Sequence, residues 1–174
     1  LPPEPAGGAP SAVVIRRASP ADEAAAWEIL DEYNRAVDVQ IRDGSPEFRT
    51  YLAGPGAMWL AHAGADLAGC VVLRPLQSIG PSACEVKRLY VRGPYRGRRI
   101  AGALMDALEE HARGEGFDAV YLDSKEDLAT AIRFYRERSY EEVERYNENP
   151  QATIFMRRLL GQPLGTRAEG PFGS

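Results

Sequence analysis

The chain has 174 residues, of which 44% are hydrophobic and 26% charged, with 21 Lys and Arg against 25 Asp and Glu for a formal net charge of −4. That length and apolar content suit one compact domain with a self-sufficient core. A net acidic protein repels DNA, RNA and anionic lipid, so a nucleic-acid role would have to rest on one local patch; no apolar run nears the ~20 residues of a membrane helix.

The ends, "LPPEPAGGAP" and "GQPLGTRAEGPFGS", are rich in Pro and Gly and lack an apolar period. Such segments bury too little surface to offset ordering, so tails are expected at 1–11 and 161–174 around a domain at 12–160. Residues 1 to 30 hold no charged-then-apolar leader pattern, and a cytoplasmic location is expected. "AVVIRRA" is short and β-branched and predicts a strand. Ser19 as N-cap, Pro20 at the first helical position and acids in the first turn then predict a helix, with Trp27, Leu30 and Val37 sharing one face. "SPEFRTYLAG" repeats the Ser-Pro opening in a shorter helix. "AMWLAHAGADLAGCVVLRPL" holds two apolar runs around "GAD", a hairpin, and "CEVKRLYV" continues the meander.

From Ile100 the apolar residues Leu104, Leu108 and Ala112 recur every four positions, one stripe on a helix that ends before Gly114 and Gly116. A strand at 117–123, a helix at 127–138 and two last strands, in "YEEVERY" and "ATIFMRRLL", complete the order β-α-α-β-β-β-α-β-α-β-β. The expected fold class is α/β: a mixed sheet with helices on both faces. Cys70 and Cys84 each sit in an apolar strand, where a reduced buried thiol is the common state; His62 and His111 lack partners at metal-ligand spacing, so no metal is expected.

Between the third strand of the meander and the helix at Ile100 lies a basic turn. Lys87, Arg88, Arg92, Arg96, Arg98 and Arg99 occur there without an acid among them. Gly97 permits a tight turn and close backbone approach, and the first N–H groups of the following helix have no partner inside it. Together these make a site for a phosphate or pyrophosphate, unless the arginines only solvate an exposed turn. A P-loop is excluded, because Gly97 and Gly102 have its glycine spacing but Ala103 and Leu104 follow.

"CEVKRLYVRGPYRGRRIAGALM" resembles the acetyl-CoA-binding motif of the GNAT superfamily of N-acetyltransferases: Gln or Arg, two residues, Gly, one residue, then Gly or Ala. Arg96 holds the first position and Ala101 the last, while Arg99 replaces the middle glycine. "AIRFYRERSY" is similar to the family's later helix-to-strand segment, with Ser139 and Tyr140 in place of its usual Gly-Phe, and "YNENP" resembles a loop of small, mostly prokaryotic members. The resemblance implies the GNAT fold, a mostly antiparallel mixed sheet of about seven strands flanked by about four helices. It also implies acetyl-CoA as cosubstrate, a primary amine of a small-molecule or amino-acid-like acceptor, direct attack in a ternary complex, and a homodimer as a possible assembly. In such a site, backbone groups of Leu89, Tyr90 and Val91 hold the pantetheine arm, and those of Arg96, Gly97, Arg98, Arg99, Ile100 and Ala101 hold the pyrophosphate.

Acetyl transfer from a thioester to an amine requires loss of a proton from the amine, stabilisation of an oxyanion and protonation of a leaving thiolate. Glu85 is the candidate base: it lies six residues before Val91, the position of the catalytic glutamate in histone-type members, and strand alternation puts it on a face with Lys87 and Leu89. The competing reading is a plain ion pair in the sheet. Tyr135 is the candidate acid at the family's tyrosine position, against the alternative of a core tyrosine one turn from Ile132. Cys84 faces away from Glu85, which argues against a covalent acetyl-cysteine. Tyr33, Asp38, Arg42, Tyr146, Asn147 and Pro150 are candidate walls of the acceptor site. The competing function is a noncatalytic acyl-CoA-binding or regulatory module, for which Arg99 is the main argument.

Overall fold

The computed structural model describes residues 10–40 and 42–161, so the expected tails at 1–11 and 161–174 lie outside the described residues apart from 10, 11 and 161. In chain order the elements are β1 (Val13–Arg17), α1 (Glu23–Ala36), α2 (Ser45–Ala53), β2 (Ala57–Ala63), β3 (Asp66–Pro75), β4 (Ala83–Val91), α3 (Ile100–Gly114), β5 (Ala119–Ser124), α4 (Ala129–Glu137), β6 (Glu141–Val143) and β7 (Ile154–Leu159). The strands form one seven-stranded sheet, β1-β2-β3-β4-β5-β7-β6, antiparallel throughout except for the parallel pair β4–β5. This is the mixed α/β architecture that the order of elements predicts, with the mostly antiparallel sheet that the resemblance implies.

Strand alternation divides the core into two layers. Ala57, Trp59, Ala61 and Ala63 of β2 face the stripe of Ile100, Leu104, Leu108 and Ala112 on α3. Met58 and Leu60, one residue out of phase, face Ala26, Ile29 and Leu30 of α1 and Phe48 and Tyr51 of α2. The face expected for α1 is corrected here. Its buried stripe is Ala26, Ile29 and Leu30, at i, i+3 and i+4, so Trp27 lies beside it and stays 46% exposed, edge-on to Phe48 with ring centroids 4.6 Å apart. Val37 falls one residue past the last turn of α1, as its C-cap, and is also exposed. Gly114 closes α3 as its last residue, and the chain reverses at Gly116, whose φ of 83° is in the left-handed region that glycine takes without strain.

β4 contains the irregularity that shapes the site. Cys70 of β3 pairs with Tyr90 and Val72 with Lys87, so Arg88 and Leu89 together oppose the single residue Val71. Arg88 has a φ of 57°, the left-handed residue of a bulge. The extra residue reverses the alternation beyond it. Cys84 and Val86, then Leu89 and Val91, pack into the α3 layer, whereas Tyr90 packs into the α1–α2 layer. The expectation that Leu89 shares a face with Glu85 and Lys87 is therefore overturned. β3 follows the kink closely: a Cβ on Gly69 would lie 2.6 Å from the Tyr90 carbonyl oxygen, so only glycine fits there.

Candidate active site

β4 and β5 pair only between Ala83–Glu85 and Ala119–Tyr121, after which the two strands separate. From Val86 to Val91 the β5-facing edge of β4 has no strand partner among the described residues, although its other edge remains paired with β3. A cleft of about 500 Å³ occupies the gap, walled by β4, the end of β5, α4, the C-terminal half of α1 and the segment after β6. An exposed row of backbone donors and acceptors needs a partner, and the cleft holds room for one.

At the end of this edge a single turn of 3₁₀-helix, Gly93–Tyr95, leads into the basic turn. Gly97 and Arg99 both have left-handed backbones, with φ of 80° and 59°. Arg99 thus takes the conformation favoured by the glycine it replaces, at a cost of about 1–2 kcal/mol. The first backbone bond into α3 runs from the Ala103 N–H to the Arg99 carbonyl, and no backbone acceptor among the described residues meets the N–H groups from Gly97 to Gly102. Ile100 is buried in the α3 layer and anchors the turn, while Arg96 and Arg99 are exposed. Arg96 Nε donates to the Val91 carbonyl at 3.2 Å. Arg98 is otherwise engaged: it donates to the Ser11 carbonyl and lies over the Tyr95 ring. Leu89, Tyr90 and Val91 on the open edge and residues 96 to 101 in the turn are accordingly two stretches joined by the hydrogen-bonded 3₁₀ turn.

Tyr135 reaches the cleft from α4. Its ring is held edge-on between Phe134 and Tyr140, at 5.4 and 5.8 Å, and its hydroxyl has no protein partner among the described residues. Burial, with the phenol of Tyr33 and the carboxylate of Asp123 nearby, holds its pKa well above that of a free tyrosine, so it stays protonated through neutral pH.

Glu85 is only 1% exposed and does not line the cleft. Its carboxylate is saturated, paired with Arg74 at 3.1 Å and Lys87 at 3.0 Å and accepting from the Tyr146 hydroxyl at 2.8 Å. Asn147 Nδ2 stands 3.4 Å from the same carboxylate. Cys84 points the opposite way into the core, where burial, aided by Glu85, pushes its thiol up to about 12. It is an inert side chain, as alternation predicts.

Asp123, at the end of β5, was not anticipated. Its Oδ2 accepts from Lys87 Nζ at 2.9 Å and from Asn147 at 2.6 Å, with Asn149 at 3.4 Å, while Oδ1 has no partner among the described residues. Burial would raise its pKa, but the Lys87 charge and these hydrogen bonds outweigh burial and leave it below the usual carboxylate value.

Of the expected acceptor walls, Tyr33 and Asn147 line the cleft. Arg42 instead pairs with Asp31, and Tyr146 turns its hydroxyl to Glu85 and its ring to Tyr121 and Phe155. Gln151 fastens the acceptor side: it donates from Nε2 to the Asp38 carbonyl at 2.9 Å and accepts the Gln40 N–H at 3.1 Å. The segment after β6 is thereby tied to the chain between α1 and α2. Neither Gln151 nor Asp123 has a local sequence signal, but Arg74 did: it is a lone charge at the end of the apolar run "CVVLRP".

Residues 23–140 match the Acetyltransferase (GNAT) family, and the chain belongs to it. An uncharacterised N-acetyltransferase of Schizosaccharomyces pombe is 33% identical over 91 residues, which cover 52% of this chain and 55% of that protein. YjgM of Escherichia coli, also an uncharacterised N-acetyltransferase, is 25% identical over 78% of this chain and 86% of its own length. The chain spans about half, 55%, or less of the first curated relatives that it matches. A GNAT acetyltransferase from Staphylococcus aureus superposes with a TM-score of 0.72 at 22% identity, over 86% of this chain and all of that one. Arabidopsis thaliana NAA60 in complex with acetyl-CoA superposes at 0.65 and 23% identity, over 86% and 99%. No helix among the described residues is long and apolar enough to cross a membrane.

Proposed function

We propose that the protein is an N-acetyltransferase that moves the acetyl group of acetyl-CoA to the primary amine of a small acceptor, by direct attack with both substrates bound. The observation that carries this reading is that the unpaired edge of β4, which shares a cleft with Tyr135, leads along the chain into the turn whose N–H groups at the start of α3 have no backbone acceptor among the described residues. These residues fit acetyl-CoA: Leu89 to Val91 offer amide groups to an extended pantetheine arm, and the turn offers the N–H groups from Gly97 to Ala101 and the exposed side chains of Arg96 and Arg99 to the pyrophosphate. Bound acetyl-CoA supplies the acyl group as a thioester, the amine nitrogen gaining the C–N bond as the C–S bond breaks.

Tyr135 donates its phenolic proton to the departing sulfur and recovers one from solvent. Asp123 Oδ1 holds the incoming ammonium, which gives one proton to water before it attacks and a second once the C–N bond has formed; a carboxylate with a depressed pKa orients charge well but accepts protons weakly. Glu85, enclosed by four partners, acts as a positioning residue through Lys87 and Asn147. The Gln151 fastening supports a small acceptor over an extended peptide, because it closes the wall that a peptide would cross. Buried, unpaired Cys70 and Cys84 support a reducing compartment such as the cytoplasm, and two-thirds-exposed Leu159 on β7 supports a homodimer through the last strands.

Calorimetry with acetyl-CoA, desulfo-CoA and ATP, followed by a thiol-release screen of amines, tests the reading. Micromolar binding that survives loss of the sulfur and is not matched by ATP, with turnover of an amine, is the expected result. Absence of acetyl-CoA binding overturns it.

A further inference from the structure

The acceptor end of the cleft has an unusual charge composition. Three cations, Arg74, Lys87 and Arg88, meet three carboxylates, Asp43, Glu85 and Asp123, and five of these six side chains are mostly buried. The cations are not equally satisfied. Lys87 spends two of its three N–H donors on Glu85 and Asp123, at 3.0 and 2.9 Å. Arg88 directs both Nε and Nη2 at one oxygen, Asp43 Oδ2, at 3.3 and 3.2 Å, and its Nη1 has no partner among the described residues. Arg74 commits Nε to Glu85 and reaches Asp43 Oδ1 only at 3.9 Å, leaving donors on its outer edge. Both arginines line the cleft, and the Arg88 guanidinium is braced over the Tyr33 ring at 5.6 Å. Unused donors on two braced guanidinium groups are a carboxylate site, since a carboxylate accepts two N–H groups in a plane.

Across the same cleft lies the complementary gap, Asp123 Oδ1, an acceptor with no donor. With the six resident charges balanced, a ligand bearing a lone charge would leave the site unbalanced at low dielectric, whereas a zwitterion adds one charge of each sign and meets both gaps. Val37, Val39 and Leu128 on the remaining wall offer apolar contact to a side chain.

Resting on the acetyltransferase reading above, we propose that the acceptor is a free amino acid, with its carboxylate gripped by Arg88 and Arg74 and its amine held at Asp123. The grip sets both class and size: an amine without a carboxylate leaves the free donors of buried Arg88 and half-exposed Arg74 unmet, and a peptide has its nearest carboxyl replaced by an amide.

The test is thiol release with the purified protein, saturating acetyl-CoA and matched acceptor pairs: L-leucine with isopentylamine, and L-phenylalanine with phenethylamine. The expected kcat/KM for the better amino acid exceeds that of its carboxylate-free partner by about 100-fold, as a site built to bond a polar group discriminates against its absence. Arg88→Gln should cut that preference below about 5-fold, and Arg74→Gln by about 10-fold, the loss falling mainly in KM. Acetyl-CoA affinity measured on each variant reports whether it is folded, and if one is not, the other decides. Equal turnover of the paired amines, or an undiminished preference in the folded variants, overturns the amino-acid assignment and leaves the acetyltransferase reading standing. Acetylation of neither class overturns both.

Discussion

Glu85 and Glu109 are chemically alike and functionally different. They are the two most deeply buried charged residues among the described residues, at 1% and 2% exposure. Each is bracketed by two cations and a tyrosine: Glu85 by Arg74, Lys87 and Tyr146, and Glu109 by Arg138, Arg158 and Tyr140. The difference lies in what the partners do next. Around Glu109 they join α3 to β7 and to the end of α4, and none faces the cleft. Around Glu85 two of them, Arg74 and Lys87, continue into the cleft. A buried, paired carboxylate therefore marks a site only when its partners open onto space that a ligand can fill.

The largest expected effect is at the structural member of the pair. Glu109→Ala leaves two arginines without their shared buried partner and should destabilise by about 3–5 kcal/mol, seen in urea denaturation, with turnover per folded molecule retained. A loss of turnover at unchanged stability would erase the contrast. Tyr135→Phe should lower kcat by about 100-fold with acetyl-CoA affinity kept, since the ring stays in its aromatic contacts and only the acidic proton is removed. An unchanged kcat would assign the acid elsewhere.

Glu85→Gln should raise the acceptor KM by about 10-fold without displacing the pH profile, the mark of a residue that positions others. A shift of the profile to higher pH would instead make Glu85 the base. Asp123 sharpens the comparison through acid stability. Its folded pKa lies below the unfolded value, so its contribution is present above the usual carboxylate range and lost as pH falls through the depressed value. Asp123→Asn should therefore be less stable at neutral pH and flatter in stability as pH falls below the usual carboxylate range; an unchanged acid slope would mean that the Lys87 pair contributes nothing. The smallest effect is Arg99→Gly, a change within about 3-fold in acetyl-CoA affinity, because relief of left-handed strain is set against a lost phosphate charge.

Much of this was legible from residues alone. The hairpin at Gly64 and the four-residue stripe of α3 are local signals, and the structure has the elements in the expected order; the Ser-Pro openings are met in part, since Ser19 caps a 3₁₀ turn at Pro20–Asp22 that runs into α1, and α2 begins at Ser45 itself with Gly44 as its cap. Leu89 was misplaced because alternation was extended through a bulge that no local residue announces: Arg88 is not a residue type that favours a φ of 57°. Trp27 was misplaced because the buried stripe of α1 runs through a small residue, Ala26, that a search for large apolar side chains passes over. Asp123, Gln151 and Arg74 come from three distant segments, and nothing in their own neighbourhoods says that they converge.

The sequence by itself determined the elements, their order and the backbone turn at Arg96 to Ala101, since periodicity, caps and glycine positions act over a few residues. Only the tertiary structure decided where β4 parts from β5, which face each β4 side chain takes and which of two buried glutamates adjoins the cleft. Those outcomes depend on strand register and on contacts between residues far apart in the chain, and no local preference encodes either.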